Sequence, residues 1–200
     1  MFLDILGTCL SLLATIYFIR LNSYGWLISL VATSLNSLLY WQKGIYADML
    51  LEIFYFITSC YGWFKWRQPS DNEHQSIQIL KAKQWYILLT IILSLFLSIK
   101  FILTFFTNSD VAILDALTTS LSLAGQWLMC YKFIATWIVW LITDALYAYL
   151  YLQKNIPFHT LLMIIYTLMA LYGYHNWSKI LKYNSLKKKK LMEKPVKPTA

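Results

Sequence analysis

One acid in this chain sits inside an apolar run in the company of two indoles. Trp137, Trp140 and Asp144 are spaced i, i+3 and i+7, so a helix brings all three to one broad face. Two flat π-faces beside a carboxylate suit a flat aromatic cation, through stacking, cation–π attraction and charge pairing. Trp137 equally suits a helix contact or an interfacial position, because Trp26 repeats it elsewhere in the chain. Glu52 is a second acid deep in an apolar run. Asp4, Asp115 and Asp48 lie near the ends of such runs; the first two are repeat partners, which favours a structural role such as helix capping over ligand binding, while Asp48 suits either. A carboxylate buried in a bilayer is costly and tends to mark a substrate or ion path.

Neutral polar residues extend the set. Thr119, Ser122 and Gln126 fall along one stripe of the fifth apolar run, beside Thr118, and Thr33 and Asn36 lie on the second. Hydroxyls commonly join membrane helices. The amides of Gln126 and Asn36 are the better ligand contacts, since they donate and accept. The binding candidates are therefore Trp140, Asp144, Gln126, Glu52, Asn36, Trp137 and Thr119. No P-loop, no nucleophile with its base and no metal-ligand spacing is present. His74, His159 and His175 are scattered, and Cys9, Cys60 and Cys130 lack a C-x-x-C spacing. No catalytic residue, metal or cofactor is expected.

These residues must be held by membrane helices. Of 200 residues, 59% are hydrophobic and 13% charged, about half the charge of a soluble domain. The apolar residues gather in runs of roughly 20, the length that spans a hydrocarbon core. The spacing predicts spans over 2–19, 24–41, 45–64, 85–106, 111–130, 133–152 and 157–176, with a polar loop at 65–84 marked by Pro69, Asp71, Asn72, Glu73 and His74. Residues 2–19 read as a retained helix, because neither a basic leader nor a small-residue cleavage site is seen there. The net charge of +8 does not indicate nucleic acid, since eight of the seventeen basic residues lie after Trp177. Such a tail suits anionic lipid. Alternating the loops puts Arg20, Lys65, Arg67, Lys81, Lys83, Lys132 and the tail on one side, against Lys43 and Lys154 on the other. The basic side is cytoplasmic by the positive-inside rule, with the N-terminus outside and the C-terminus inside.

The chain also repeats itself. A shift of 111 residues lays 3–66 on 114–177 without a gap, with 22 of the 64 paired positions identical. Leu3-Asp4 falls on Leu114-Asp115, Trp26 on Trp137 and Gln42-Lys43 on Gln153-Lys154. Tyr55 falls on Tyr166, Tyr61-Gly62 on Tyr172-Gly173 and Trp66 on Trp177. Shared hydrophobicity does not place Asp, Gln-Lys, Gly and Trp in common register. The expected organisation is a three-helix repeat over 1–66, a loop at 67–84 and a linker helix over 85–107. A second repeat over 108–177 and a basic tail at 178–200 complete it. An odd number of spans per repeat would invert the second copy. The linker helix restores its direction, making the repeats parallel, a plan found in transporters with a midplane site. Asp144 and Glu52 break the repeat, their partners being Thr33 and Met163, which points to a task that symmetry does not require.

The chain resembles the PnuC family of bacterial vitamin transporters. The resemblance rests on Tyr46-Ala-Asp48-Met49-Leu50-Leu51-Glu52 leading to Tyr61-Gly62-Trp63-x-x-Trp66, and on Asp115-Ala-Leu-Thr118-Thr119-x-Leu-Ser122 leading to Gln126-Trp127-Leu128. Trp137-x-x-Trp140-x-x-x-Asp144, Leu150-Tyr151-x-x-Lys154 and Gly173-x-x-x-Trp177 complete it. It implies a 3+1+3 all-α fold of seven transmembrane helices like that of sugar-transporting SWEET proteins, a homotrimer, and a place in the bacterial inner membrane. It further implies facilitated diffusion of nicotinamide riboside, trapped inside by a kinase and so serving NAD biosynthesis. It also implies an amide in riboside carriers where Asp144 stands. Thiamine or riboflavin, carried by other members, remain alternatives, as does a membrane scaffold or binding protein that transports nothing.

Overall fold

The computed structural model of the chain describes residues 2–43, 46–68, 77–106, 112–153 and 157–192. Among them run seven helices: α1 (Phe2–Ile19), α2 (Tyr24–Lys43), α3 (Tyr46–Arg67), α4 (Ala82–Phe106), α5 (Ala112–Cys130), α6 (Ala135–Gln153) and α7 (Pro157–Met192). The loop markers Pro69 to His74 lie outside the described residues, as do the side chains of Asp4 and Asp48. Three helices exceed their apolar runs by three residues or more, α3 by running on to Arg67. α4 starts three residues early because the Gln84 side chain accepts from the Lys81 N–H at 2.8 Å, the return half of a capping box on the first turn. α7 continues through the basic stretch, where no Pro or Gly intervenes and Lys and Leu favour helix.

Among the described residues, three helices, α4, α6 and α7, contain segments long and apolar enough to cross a membrane. α2, α3 and α5 are less apolar because they carry Thr33, Asn36, Glu52, Thr118, Ser122 and Gln126. α4 exposes Ile87, Leu89, Leu93, Leu97, Phe101, Ile102 and Phe105 on nearly all sides, a surface suited to lipid. It packs on α5, where Leu88 joins Leu121, Ala124 and Leu128. The other six form a closed circuit: α1 touches α2, α2 touches α3, α3 touches α5, α5 touches α6, α6 touches α7, and α7 returns to α1.

One end of this circuit shows matched geometry at positions 111 apart. α1 and α5 both stop in a left-handed residue that is not glycine, Leu21 (φ 55) and Lys132 (φ 56). Asn22 N–H donates to the Tyr17 carbonyl at 2.9 Å and Phe133 N–H to the Leu128 carbonyl at 3.1 Å, closing the same helix-ending motif twice. Each end is then covered by an indole from the opposite half. Trp177 Nε1 donates to the carbonyls of Phe18 and Ile19, and Trp66 Nε1 to those of Met129 and Cys130, all at 3.2 Å. Helix ends leave carbonyls orphaned, and these two indoles satisfy them. Trp66 stands edge-on to Trp26 at 5.5 Å and Trp177 edge-on to Trp137 at 5.4 Å, and Trp66 meets Trp177 at 6.3 Å. Gly62 and Gly173 make room: a Cβ on either would stand 2.6 Å from a ring carbon of Trp26 or Trp137. The aromatic cluster seals this end of the circuit with Phe18, Met129 and Cys130.

Candidate functional site

Away from that cluster, the two unrepeated acids share the same tyrosine neighbours. Glu52 on α3 is half-buried and accepts a hydrogen bond from Asn36 Nδ2 on α2 at 3.3 Å. Asp144 on α6 is only 7% exposed and makes no hydrogen bond or ion pair among the described residues. Both carboxylates lie within electrostatic reach of the same two phenols, Tyr55 on α3 and Tyr166 on α7. Tyr55 is set against Ser122 of α5, and Tyr166 against Ser11 of α1. These are repeat partners again, tyrosine to tyrosine and serine to serine. The result is a frame of four hydroxyls of matched placement, with two acids added to it.

An acid held largely out of water is expensive unless something neutralises it, and no cation is seen beside Asp144 among the described residues. The frame therefore suits a ligand that brings positive charge. Phenols and serines supply donors and acceptors at its edge, and the Tyr rings supply π-faces.

The other sequence candidates divide. Trp140 is half-buried one turn before Asp144, its indole 3.2 Å from the point where a Cβ on Gly125 would stand. Trp137 does not accompany it: at 1% exposed, it is enclosed by Gly173 and Trp177 in the aromatic cluster. Gln126 is buried and donates to Thr58 Oγ1 at 3.2 Å, tying α5 to α3. Thr119 is half-buried on α5, whereas its neighbour Thr118 turns back to the carbonyls of Leu114 and Asp115. Thr33, at Asp144's place in the first half, likewise bonds its own helix at Ser29 and Leu30. Asp115 sits in the first turn of α5, where the helix dipole favours it. Among the described residues no cluster of His, Cys, Asp or Glu is arranged for a metal.

Tyr55, Tyr166 and Ser11 were not among the sequence candidates. Their signal was present, since both pairs are identities of the internal repeat, but an identity between halves does not by itself distinguish packing from binding.

Residues 1–179 match the model of a family described as nicotinamide mononucleotide transporter. The chain belongs to that family. It is a family of transporters rather than enzymes, and this member is a multi-pass membrane protein. Among its relatives is the nicotinamide riboside transporter PnuC of Escherichia coli (strain K12), 26% identical over 174 residues, which are 74% of this chain and 73% of that protein. The nicotinamide riboside transporter PnuC of Haemophilus influenzae is 29% identical over 147 residues, 71% of this chain and 64% of that one. A crystal structure of the vitamin B3 transporter PnuC superposes with a TM-score of 0.74 at 21% identity, covering 91% of this chain and 83% of its own. At that identity the likeness establishes the fold, an all-helical PnuC-type bundle.

Proposed function

We propose that this chain carries nicotinamide riboside, a flat aromatic cation, into the cell by facilitated diffusion. The observation that carries this reading is Asp144, a buried acid with no hydrogen-bond or ion-pair partner among the described residues, which shares with Glu52 the electrostatic neighbours Tyr55 and Tyr166. The relatives named as nicotinamide riboside transporters support the choice of solute. In this reading all seven helices cross the inner membrane, with the N-terminus outside, and the protein assembles as a homotrimer. The units 1–66 and 108–177 are parallel repeats joined by α4, and the matched helix ends support that pairing. The solute reaches the acids from one end while the tryptophan cluster closes the other, and leaves when the indoles of Trp66 and Trp177 release α5 and α1. A kinase inside the cell then traps it.

Thiamine is the second reading, and the same acids favour it: it is also a flat aromatic cation, and Asp144 replaces the amide that the family resemblance implies in riboside carriers. Riboflavin is neutral and gains no charge pairing from either carboxylate. The test is a titration of purified protein with the three vitamins, followed by tryptophan fluorescence. Both cations are expected to bind more tightly than riboflavin, with quenching that disappears in Trp140→Ala. That variant is expected to lose about 1–3 kcal/mol of binding through lost stacking and cation–π attraction. Tightest binding of riboflavin would overturn the reading.

A further inference from the structure

α6 and α7 pack against each other at three levels. At the sealed end Trp137 meets Gly173 and Trp177. At mid-length Asp144 lies within electrostatic reach of Tyr166. At the opposite end the Tyr151 ring meets that of His159, with centroids 5.3 Å apart and planes tilted by 57°. The spacing of the residues builds these levels. Trp140, Asp144, Tyr147 and Tyr151 fall at i, i+4, i+7 and i+11, one stripe of α6, while His159, Tyr166 and Gly173 recur at every seventh residue of α7. Asp144 stands midway between Trp137 and Tyr151, about 10 Å along the helix from either.

The outer part of that stripe is aromatic. Tyr147 and Tyr151 stack with centroids 5.9 Å apart and planes 14° apart. Tyr147 also lies within electrostatic reach of Tyr55, in the frame around the acids. Both rings are half-buried and His159 is exposed, so the series runs from the frame to the surface. Aromatic rings four residues apart also stabilise a helix by themselves. The internal repeat argues for more than that. In the first half the places of Trp140 and Tyr147 are held by Ser29 and Asn36, and Asn36 is engaged with Glu52. Only Tyr151 is repeated, as Tyr40. The continuous series of rings thus belongs to the helix that carries Asp144, and the repeat does not require it.

We propose that Tyr147, Tyr151 and His159 form an outer binding position for a flat aromatic cation, occupied on its way to Asp144. Ring faces attract such a cation by stacking and by their quadrupoles. Successive rings on the stripe advance by about 5–6 Å, so the solute passes from one face to the next without losing aromatic contact. The inference rests on the reading that the central site takes a cation. It adds the route, which lies along α6 and α7 rather than along α2 and α3.

The test is stopped-flow tryptophan fluorescence of the purified protein with nicotinamide riboside and, separately, with thiamine. A ring used only on the path alters association and dissociation alike and leaves the equilibrium in place. In Tyr151→Ala both rate constants are expected to fall about two- to fivefold, the worth of one exposed cation–π contact, with the dissociation constant held within about twofold. Tyr151→Phe keeps the ring and should bind at the wild-type rate. Tyr40→Ala, at the matching place in the other half, should do the same. Unaltered melting temperatures establish that all three variants are folded. Wild-type rates in Tyr151→Ala, or equal slowing in Tyr151→Phe or in Tyr40→Ala, would overturn the proposal while the central site stands. Wild-type protein that binds neither cation would instead overturn the central reading, and the outer position with it.

Discussion

Asp144→Asn is expected to weaken binding of a cationic vitamin by about 2–5 kcal/mol while leaving riboflavin almost unaffected, the range for removing one partner of a buried charge pair. The substitution preserves shape and removes charge, so it separates the two contributions to recognition. The folded protein should not suffer, because a neutral amide is cheaper to bury than an unpartnered carboxylate. The magnitude follows from burial. At 7% exposure the Asp144 carboxylate is screened little by water, and a cation brought to it meets a field far stronger than at a surface. Glu52 differs, since the Asn36 amide already engages it, and Glu52→Gln is expected to have the smaller effect. The fluorescence titration measures both. Unchanged affinity for the preferred cation in Asp144→Asn would remove that residue from the site and leave Glu52 as its charged member.

Trp66→Ala and Trp177→Ala should each lower stability by about 3–5 kcal/mol, the range for deleting a buried aromatic ring, and by similar amounts. Each deletes a ring from the closed cluster and strands two helix-end carbonyls. In Trp66→Phe and Trp177→Phe the ring is largely kept and only the N–H lost, so about 1–2 kcal/mol is expected. Thermal unfolding of the detergent-solubilised variants measures all four. A large effect at one position with none at the other would show that the matched contacts do not carry matched energies.

Much of the architecture was legible in the sequence. Runs of apolar residues gave the ends of α1, α2, α5 and α6 within about two residues, because hydrophobic length is a membrane helix's main requirement. The early start of α4 depended on a side-chain cap at Gln84, and the length of α7 on helix propensity in a polar stretch, which hydropathy does not read. Asp144, Glu52 and Trp140 stood out in the chain, but their grouping did not. Glu52 and Asp144 are on α3 and α6, and only the order of helices around the circuit brings both to Tyr55 and Tyr166. Spacing of i and i+3 suggested that Trp137 and Trp140 act together. Glycines on different helices part them, Gly125 of α5 receiving Trp140 and Gly173 of α7 receiving Trp137. A helix face is broad enough to serve two neighbours, and no pattern within α6 says where one ends.

Uptake of labelled nicotinamide riboside into proteoliposomes bears most directly on the account. The protein is expected to admit the vitamin without ATP or an ion gradient, to stop when free concentrations inside and outside are equal, and to carry it much more slowly as Asp144→Asn at low substrate. Binding without entry would leave a scaffold, and accumulation above the external concentration under a pH or sodium gradient would contradict facilitated diffusion.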